Sequence, residues 1–344
     1  MKKTLHNSFI LLLGWGLTCF SCSSPNGNKH SENENAASEI VELTSVSQNG
    51  FLAIQGTSLV NEKGQPVILR GVSFGSHNTW PRFYNDNTVT WLKEDWKVNV
   101  IRAVVRVLND RKANSYLQNP QAALASLYAV VDAAIKNDVY VIIDWHAQDI
   151  HRNEAIDFFR IVAEKYKDYP NIIYELFNEP VHTWGEVKKY SEAVIAAIRA
   201  IDKRNIIVIG TPTWNQDVDV AAVNPITGYA NIMYSLHFYA ASHKQSLRNK
   251  ATAALQKGLP LFVTECAGME SSGNGPINFR EWQIWLEFMN DHGISWVTCS
   301  IADKNESSSM IKDASSPVSD WDIYDLKEWG LMVREELRKN NQQL

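Results

Sequence analysis

The chain has 344 residues, of which 45% are hydrophobic and 21% are charged, an ordinary balance for a protein with an apolar core. Its 33 Lys and Arg residues against 38 Asp and Glu residues give a net charge of -5, which argues against a general binder of nucleic acids or other polyanions. Trp, Tyr and Phe number 12 each. Because Trp is usually the rarest of the three, the surplus indicates either core packing or flat rings that stack against sugars.

The first segment has the features of an export signal. Two lysines precede a short apolar run at positions 9–17, which is too short to span a membrane comfortably. Residues 20–24, Phe-Ser-Cys-Ser-Ser, resemble a bacterial lipoprotein processing site. Residues 1–22 are therefore predicted to be a lipoprotein-type signal peptide with a lipid anchor at Cys22. The predicted location is the cell envelope, on the outer surface or in the periplasm, and plain secretion is the alternative.

The next segment, residues 23–45, is rich in Ser, Asn and Glu and contains no aromatic residue. Such a composition buries too little apolar surface to order itself, so it is predicted to be a flexible tether before a folded domain at 46–344. Cys266 and Cys299 are the two cysteines of that domain, too few for a disulfide framework. The sequence shows no Cys/His cluster at zinc spacing and no phosphate-binding glycine loop, so no metal or cofactor is expected.

Strand-like and helix-like segments then alternate along the domain. A short hairpin is predicted first, with strands at 51–54 and 58–60. The later strand-like runs cover 67–74, 100–107, 139–146, 171–178, 205–211, 232–239, 260–266 and 295–301. The helical segments, which carry apolar residues at helical spacing, cover 122–135, 155–167, 186–201, 246–256, 279–291 and 325–339.

This alternation predicts an α/β fold with a parallel sheet, and the apolar strands indicate burial on both faces. Repeated units of this kind over about 290 residues suit a closed (β/α)8 TIM barrel better than an open doubly wound sheet. The first unit also lacks the glycine-rich dinucleotide fingerprint of many open sheets. We therefore predict a TIM barrel with a short N-terminal β-hairpin.

Polar side chains end five of the predicted strands. They are Arg102 and Arg106, then Asp144 and His146, then Asn178 and Glu179, then His237 and Tyr239, and finally Glu265. One such residue alone can simply cap the following helix, but five strands that end this way around one rim indicate an active site. Glu179 and Glu265 come from strands across the barrel from each other and can point into one cleft. Such a pair suits glycoside cleavage, with one acid and one nucleophile, although a structural carboxylate paired with Arg102 is the alternative for either one.

Several motifs, in this order, resemble glycoside hydrolase family 5, and within it the bacterial endo-β-1,4-glucanases of subfamily 2. They include Leu69-Arg-Gly-Val72, Asn99-Val-Ile-Arg-Ala103, Tyr140-Val-Ile-Ile-Asp-Trp-His146, Ile172-Ile-Tyr-Glu-Leu-Phe-Asn-Glu-Pro180, Met233-Tyr-Ser-Leu-His-Phe-Tyr-Ala240 and Phe262-Val-Thr-Glu265. The resemblance implies a retaining, endo-acting hydrolase of β-1,4-glucan. A polysaccharide substrate is therefore expected, and a monomer is expected as well.

The resemblance also implies roles for single residues. Glu179 resembles the acid/base and Glu265 the nucleophile, while Arg102 and Tyr239 resemble the partners that keep Glu265 charged and aimed. Further roles are implied for Asn178 at the sugar 2-hydroxyl, for His237 as the residue that holds Glu179, and for His146 in the same subsite. Outer glycan subsites are implied for His77, Trp80, Trp214, Lys304 and Glu306.

Three positions depart from the family pattern. Cys299 stands where a Trp usually forms the floor of the subsite, and losing that ring costs on the order of 1 kcal/mol or more of stacking. Cys266 also stands where Trp is frequent, and Arg106 replaces a usual Tyr. One hypothesis is that Arg106 favours a carboxylate-bearing glycan, and the alternative is that it pairs with a local Asp or Glu. A Cys266–Cys299 disulfide is a second hypothesis, which opposite side-chain directions disfavour.

Two alternatives to β-1,4-glucan hydrolysis remain at this point. One is a hydrolase of another β-glycan, such as mannan, xylan or a substituted glucan, since the fold does not choose among them. The other is a surface glycan-binding protein with weak or lost catalysis. The presence of both glutamates argues against the second alternative, and the missing Trp at position 299 argues mildly for it.

Overall fold

The structure is a computed structural model that describes residues 45–108 and 113–341. The predicted signal peptide and the predicted tether up to residue 44 lie outside the described residues. The described chain opens with a short helix, α1 (Val46–Asn49). Ser45 caps this helix, because its hydroxyl accepts a hydrogen bond from the backbone N–H of Gln48.

A β-hairpin follows, as predicted. Strands β1 (Ala53–Gln55) and β2 (Ser58–Val60) pair antiparallel. Its apolar residues pack against side chains at the beginnings of the barrel strands, among them Val100 and Tyr140. The hairpin therefore lies against the N-terminal end of the barrel, and the opposite end is left for the functional site.

The predicted eight-stranded barrel is confirmed. Its strands are β3 (Arg70–Phe74), β4 (Val100–Arg106), β5 (Tyr140–His146), β6 (Ile172–Glu175), β7 (Ile206–Ile209), β8 (Ile232–Tyr239), β9 (Leu261–Ala267) and β10 (Ser295–Ile301). Every neighbouring pair is parallel, and β10 closes the barrel against β3, with Trp296 opposite Arg70. This closure excludes the open doubly wound sheet.

Helices connect the barrel strands, and a last helix follows β10. They are α2 (Asp86–Glu94), α3 (Pro120–Lys136), α4 (Arg152–Tyr166), α5 (Trp184–Ile201), α6 (Pro212–Asn215), α7 (Val218–Ala221), α8 (Gln245–Gln256), α9 (Phe279–Asp291) and α10 (Glu328–Asn340). All six helices predicted from the sequence are present, with ends within three residues of the prediction. Over residues 45–108 and 113–341, no helix is long and apolar enough to cross a bilayer.

Most of the tryptophan surplus is used in packing between the barrel and the helices. Six tryptophans are fully buried: Trp96, Trp145, Trp285, Trp296, Trp321 and Trp329. Trp285 on α9 stacks on Phe238 of β8, with ring centroids 3.9 Å apart. Core packing therefore explains much of the surplus, and Trp214, which is 46% exposed, is the clear exception among the described tryptophans.

Several strand ends differ from the prediction by up to three residues, and the difference at the end of β6 matters for the site. The prediction continued β6 to residue 178, but the strand ends at Glu175. The backbone N–H of Leu176 still donates to Val208 of β7, whereas Asn178 donates to Trp145 of β5. The chain thus changes its hydrogen-bonding partner from one neighbouring strand to the other. This bend places Asn178 and Glu179 in a loop at the C-terminal end of the barrel.

A glycine makes this bend sterically feasible. Gly210, just after β7, faces the bent segment, and a Cβ atom there would lie 2.5 Å from the backbone oxygen of Phe177. No real Cβ atom tolerates such an approach to the backbone. Gly210 therefore allows the segment that carries Glu179 to lie close to β7.

Candidate active site

The C-terminal ends of the barrel strands bring together the polar residues that the sequence singled out. Two acidic side chains face each other there. An oxygen of Glu179, an oxygen of Glu265 and a ring nitrogen of His237 all lie within 4.8 Å of one another. In glycosidases, a separation of about 5 to 5.5 Å between two carboxyl groups suits direct attack by one of them, while about 6.5 to 9.5 Å leaves room for a water between. The observed spacing fits direct attack.

Glu265, on β9, is held by two donors. The hydroxyl of Tyr239 donates to one carboxylate oxygen at 2.8 Å, and Nη1 of Arg102 donates to the other at 3.3 Å. These bonds fix the rotation of the carboxylate and supply positive charge beside it. The structure thus forms both contacts that the family resemblance implied for Glu265.

Arg102 is the centre of a buried ion network. Its guanidinium is fully buried and donates to Glu175 at 2.6 Å and to the side-chain oxygen of Asn178 at 2.7 Å, and it lies 3.0 Å from Asp144. Burial works against its charge, but the surrounding carboxylates outweigh it and raise the pKa of Arg102 above its usual range. With every direction around the guanidinium occupied, Arg102 is a rigid support for Glu265.

Glu175 was not among the site residues predicted from the sequence. It lies four residues before Glu179 in the same motif, at the last position of β6. Burial raises the pKa of Glu175, and the Arg102 cation opposes that rise. The same two effects, in the same order, act on the pKa of Asp144. A single guanidinium therefore faces two fully buried acids in addition to Glu265, and the network favours keeping a proton on one of the buried pair.

Glu179 has the electrostatic character of a proton donor. Burial raises the pKa of its carboxyl group, while the cations of Arg102 and Arg106 and the side-chain amide of Gln148 oppose the rise. Oε1 of Glu179 lies 3.1 Å from Nδ1 of His237. A raised pKa keeps the proton on Glu179 at a pH at which an ordinary glutamate has lost it.

His237 continues a chain of hydrogen bonds away from Glu179. Its Nε2 atom lies 2.9 Å from the hydroxyl of Thr264, which in turn contacts the hydroxyl of Ser235. Burial lowers the pKa of His237 to about 4, so the ring is neutral at neutral pH. A neutral imidazole has one N–H donor and one acceptor, and a hydroxyl can partner either. The chain therefore accommodates both tautomers of His237.

His146, on β5, lies beside this pair. Its Nδ1 atom is 2.7 Å from Asp144, which fixes the ring. Burial, followed by the charges of Arg106 and Arg102, lowers the pKa of His146 to about 3. His146 is thus a neutral, oriented ring at the C-terminal end of β5.

The donor atoms of Glu179, His237 and Glu265 lie close enough together to hold a metal ion. Each is already satisfied by protein groups: His237 uses both ring nitrogens, and Glu265 uses both oxygens. A metal would have to replace these bonds. The arrangement fits a hydrogen-bonded acid pair better than a set of ligands waiting for a cation.

A cavity of about 400 Å³ opens beside Glu179. Its lining combines predicted residues with four that sequence reasoning missed: Gln148, Gln216, His243 and Ser271. His243 is oriented by the backbone, because its Nδ1 atom accepts the N–H of Tyr239 at 2.9 Å. Its Nε2 atom is therefore the protonated one, and it is a donor at the cavity wall. These scattered polar residues carried no pattern that the sequence alone could reveal.

Trp214 reaches the cavity through an unusual backbone. Thr213, Trp214 and Asn215 all have positive φ angles, between 54° and 60°. Non-glycine residues rarely adopt this conformation, and a run of them needs support from the surroundings. The support is visible: the N–H of Trp214 donates to the backbone oxygen of Pro180 at 3.2 Å. The exposed indole is thus tied to the segment that carries Glu179.

The other predicted outer residues differ in what they offer. His77 is 2% exposed, its Nε2 atom lies 2.9 Å from the backbone oxygen of Asn114, and its Nδ1 atom accepts the N–H of Arg106. Both ring nitrogens are occupied, so a glycan contact through them is not available and His77 supports the loop instead. Lys304 and Glu306 form an ion pair with each other, which remains partly exposed. Trp80 is partly buried and packs over Gly75.

The two cysteines are free thiols in the structure. Cys266 is fully buried and turns its sulfur to the backbone oxygen of Val297 at 3.4 Å. Cys299 lies on the cleft side, with its sulfur 3.6 Å from the hydroxyl of Tyr239. Burial raises the pKa of the Cys299 thiol. The hypothesised disulfide is not formed, and Cys299 presents a small neutral thiol next to the Tyr239–Glu265 pair.

Comparison with known proteins agrees with this geometry. Residues 60–305 match the family model described as cellulase, glycosyl hydrolase family 5. Endoglucanase Z of Dickeya dadantii (strain 3937) is 48% identical over 281 residues, which are 78% of this chain and 65% of that protein. An endoglucanase of Clostridium saccharobutylicum is 39% identical over 308 residues, covering 87% of this chain and 68% of that protein. The chain thus spans about two thirds of the length of these curated relatives.

Solved structures give the same result. One from Cytophaga hutchinsonii is 44% identical with a TM-score of 0.83, and the match covers 86% of this chain and 97% of that one. The catalytic domain of a Thermobifida fusca endoglucanase, solved in complex with cellotetraose, is 30% identical with a TM-score of 0.80, covering 86% of this chain and 99% of that one. The family match, the identities and the shared barrel together show that the chain belongs to glycosyl hydrolase family 5.

Proposed function

We propose that this protein is a retaining, endo-acting hydrolase of β-1,4-glucan. The observation that carries the proposal is the pair Glu179 and Glu265, each of which has one carboxylate oxygen within 4.8 Å of an oxygen of the other in one cleft. The different surroundings of the two groups assign two roles to them. The endoglucanase names of the relatives and the cellotetraose bound to the Thermobifida enzyme support β-1,4-glucan as the substrate.

In the first step, Glu265 attacks the anomeric carbon and forms a glycosyl ester. The bond to the leaving sugar breaks, and Glu179 gives its proton to the departing oxygen. Positive charge from Arg102 and the hydroxyl of Tyr239 keep the attacking carboxylate in position. Asn178 is fixed by its bond to Arg102 at 2.7 Å, which leaves its amide N–H groups for the sugar 2-hydroxyl.

In the second step, a water molecule hydrolyses the glycosyl ester. Glu179 is now a carboxylate and takes a proton from the water, which attacks the anomeric carbon and releases Glu265. His237 can serve both states of Glu179. With its ring proton on Nδ1, it donates to Oε1 of Glu179 in both states and leaves the acid proton, on the other carboxyl oxygen, free for the departing oxygen. The Nε2 atom then accepts from the hydroxyl of Thr264, 2.9 Å away.

The cavity beside Glu179 suits the part of the glucan that leaves in the first step. Glu179 lines it, so a sugar that receives the proton of this acid would occupy it. Trp214 offers an exposed ring for stacking at its edge, and polar side chains such as Gln216 offer hydrogen bonds. Space for sugars on the leaving side of the cleaved bond allows the enzyme to bind the interior of a polymer, as endo-acting cleavage requires.

The test is the release of reducing ends from soluble β-1,4-glucan, mannan and xylan, followed by analysis of the products. We expect β-1,4-glucan to be cleaved internally, with a rapid fall in viscosity. Glu265→Ala should abolish turnover, and azide should restore cleavage of an activated aryl cellobioside by this variant. Glu179→Ala should retain the first step on the activated substrate and accumulate the ester.

Other outcomes would select the alternatives. Preferred cleavage of mannan or xylan would show that β-1,4-glucan is not the main substrate, and the proposed mechanism would still apply. No turnover on any of the polymers, together with measurable binding, would favour a glycan-binding protein over an enzyme.

We infer from the sequence that the protein is exported and anchored by a lipid at Cys22. The support is the charged start, the short apolar run and the processing-like site at 20–24, all outside the described residues. Metabolic labelling with a fatty acid tests the inference: the wild type should incorporate label and Cys22→Ala should not. Release of unlabelled wild-type protein into the medium would support plain secretion instead.

A further inference from the structure

Arg106, at the end of β4, is a cation at the cleft that the proposed mechanism does not use. Side chains alternate along a strand, so Arg106 shares the inward face of β4 with Arg102, which binds Glu265. Arg106 pairs in register with His146 on β5 and remains partly exposed. Burial raises the pKa of Glu179, and the Arg106 cation is one of the groups that oppose the rise, so its charge acts on the cleft.

The guanidinium of Arg106 pairs with no carboxylate within residues 45–108 and 113–341. Its Nε–H donates to the backbone oxygen of Leu108 at 3.2 Å, which leaves the two terminal NH₂ groups. Other arginines near the barrel rim differ. Arg82 meets Asp303 at 2.9 Å and Arg248 meets Glu281 at 3.0 Å. In the described chain, the local Asp or Glu partner considered for Arg106 is therefore not found.

The acids nearest in the cleft already have other protein partners. Arg102 and His146 both contact Oδ2 of Asp144, at 3.0 and 2.7 Å, while its Oδ1 is buried and has no hydrogen-bond partner within the described residues. The bonds of Glu265 to Arg102 and Tyr239, and of Glu179 to His237, likewise engage their oxygens. Among residues 45–108 and 113–341, a substrate carboxylate would thus meet the two terminal NH₂ groups of Arg106 without displacing a protein partner.

A guanidinium with two adjacent N–H groups is the protein group best matched to a carboxylate, because it can donate two parallel hydrogen bonds. A neutral glucan offers hydroxyl groups, which bind a cation more weakly. We propose that Arg106 is a specificity residue that makes the enzyme favour β-glucans bearing carboxylate substituents, such as uronate side groups, over neutral ones. This proposal rests on the proposed glucanase function and names the class of glucan within it.

The test compares kcat/KM on carboxymethyl cellulose and on neutral hydroxyethyl cellulose, for the wild type, Arg106→Gln and Arg106→Lys. Arg160→Gln is the matched control, because it removes one positive charge from the 59% exposed side chain of a residue on α4, outside the cleft. Thermal unfolding of each variant checks that the fold is retained. A second series repeats the wild type and Arg106→Gln with added sodium chloride.

We expect the ratio of the two kcat/KM values, anionic over neutral, to fall about tenfold in Arg106→Gln, which is the loss of one charge-assisted pair. Arg106→Lys should keep part of the ratio, and Arg160→Gln should leave it unchanged. Salt should lower the ratio of the wild type and have little effect on that of Arg106→Gln.

Equal losses on both polymers in Arg106→Gln would overturn the inference, because Arg106 would then act through Glu179 or through packing. An unchanged ratio would overturn it as well. These results are distinct from failure of the proposed function, in which the wild type would release no reducing ends from either polymer.

Discussion

The hydroxyl of Thr264 provides a sharp test of the hydrogen-bond chain behind Glu179. Thr264 is fully buried on β9, and its Oγ1 atom lies 2.9 Å from Nε2 of His237. Thr264→Val keeps the shape of the side chain and removes the hydroxyl. Nε2 of His237, itself in a ring that is 2% exposed, then has no partner in either tautomer.

The expected magnitude follows from that burial. An unsatisfied buried polar group costs about 1 to 3 kcal/mol. Because the reaction needs His237 in place beside Glu179, this cost adds to the activation free energy. We therefore expect kcat/KM to fall by about 5- to 150-fold. Thr264→Ser retains a hydroxyl at the same place and should keep most of the activity.

The assay is kcat/KM on a soluble neutral β-1,4-glucan, with thermal unfolding measured in parallel. Thr298→Val is the matched control, because Thr298 is equally buried on the neighbouring strand and donates to the backbone oxygen of Cys266 at 2.7 Å, away from Glu179. It should lose stability without a comparable loss of rate. A folded and fully active Thr264→Val would refute the supporting role of the hydrogen bond between Thr264 and His237. A Thr264→Ser variant as impaired as Thr264→Val would refute it as well.

Three further predictions concern the support of the acid pair. Tyr239→Phe removes the 2.8 Å bond to Glu265 and should lower kcat by about 10- to 100-fold, the cost of one hydrogen bond to a charged group. Burial raises the pKa of Glu175 from 4.5 to about 7, so its contribution to folding is complete below pH 4.5 and lost as the pH rises toward 7. In Glu175→Gln, the free energy of unfolding should therefore fall less over that window in urea titrations. Gly210→Ala should lower Tm and kcat together, because its Cβ would lie 2.5 Å from the backbone oxygen of Phe177.

Each of these has a result that contradicts it. Unchanged kcat in folded Tyr239→Phe would remove the positioning role of that hydroxyl. An equally steep loss of unfolding free energy in Glu175→Gln would assign the pH dependence to other groups, Asp144 first among them. A Gly210→Ala protein with wild-type Tm would show that the segment before Glu179 moves without cost.

The barrel could be predicted from the sequence because its strands are buried on both faces and its long helices keep a clear apolar period. α2 was not predicted. Its sequence, Asp86–Glu94, includes two threonines and a valine, which lower helix propensity, and only Thr88, Val89 and Leu92 of it are buried. A short polar helix of this kind is held by its packing and by the Asn85 cap, not by a pattern that stands out along the chain.

Part of the site could also be predicted from the sequence. Residues at strand ends converge in a barrel, so the meeting of Glu179, Glu265 and Tyr239 followed from their positions. The contact of Arg102 with Glu175 did not follow, because it depends on the stagger between the strands. The occupied ring nitrogens of His77 were equally hidden, since they bind backbone atoms that a sequence does not locate.

The central claim is that Glu265 attacks the sugar directly while Glu179 supplies the proton. The most direct measurement is proton NMR of the first product formed from an aryl β-cellobioside, recorded before the anomers equilibrate. We predict the β-anomer, as two successive displacements at one carbon require. The α-anomer as first product would mean that water attacks in a single step and would contradict the account.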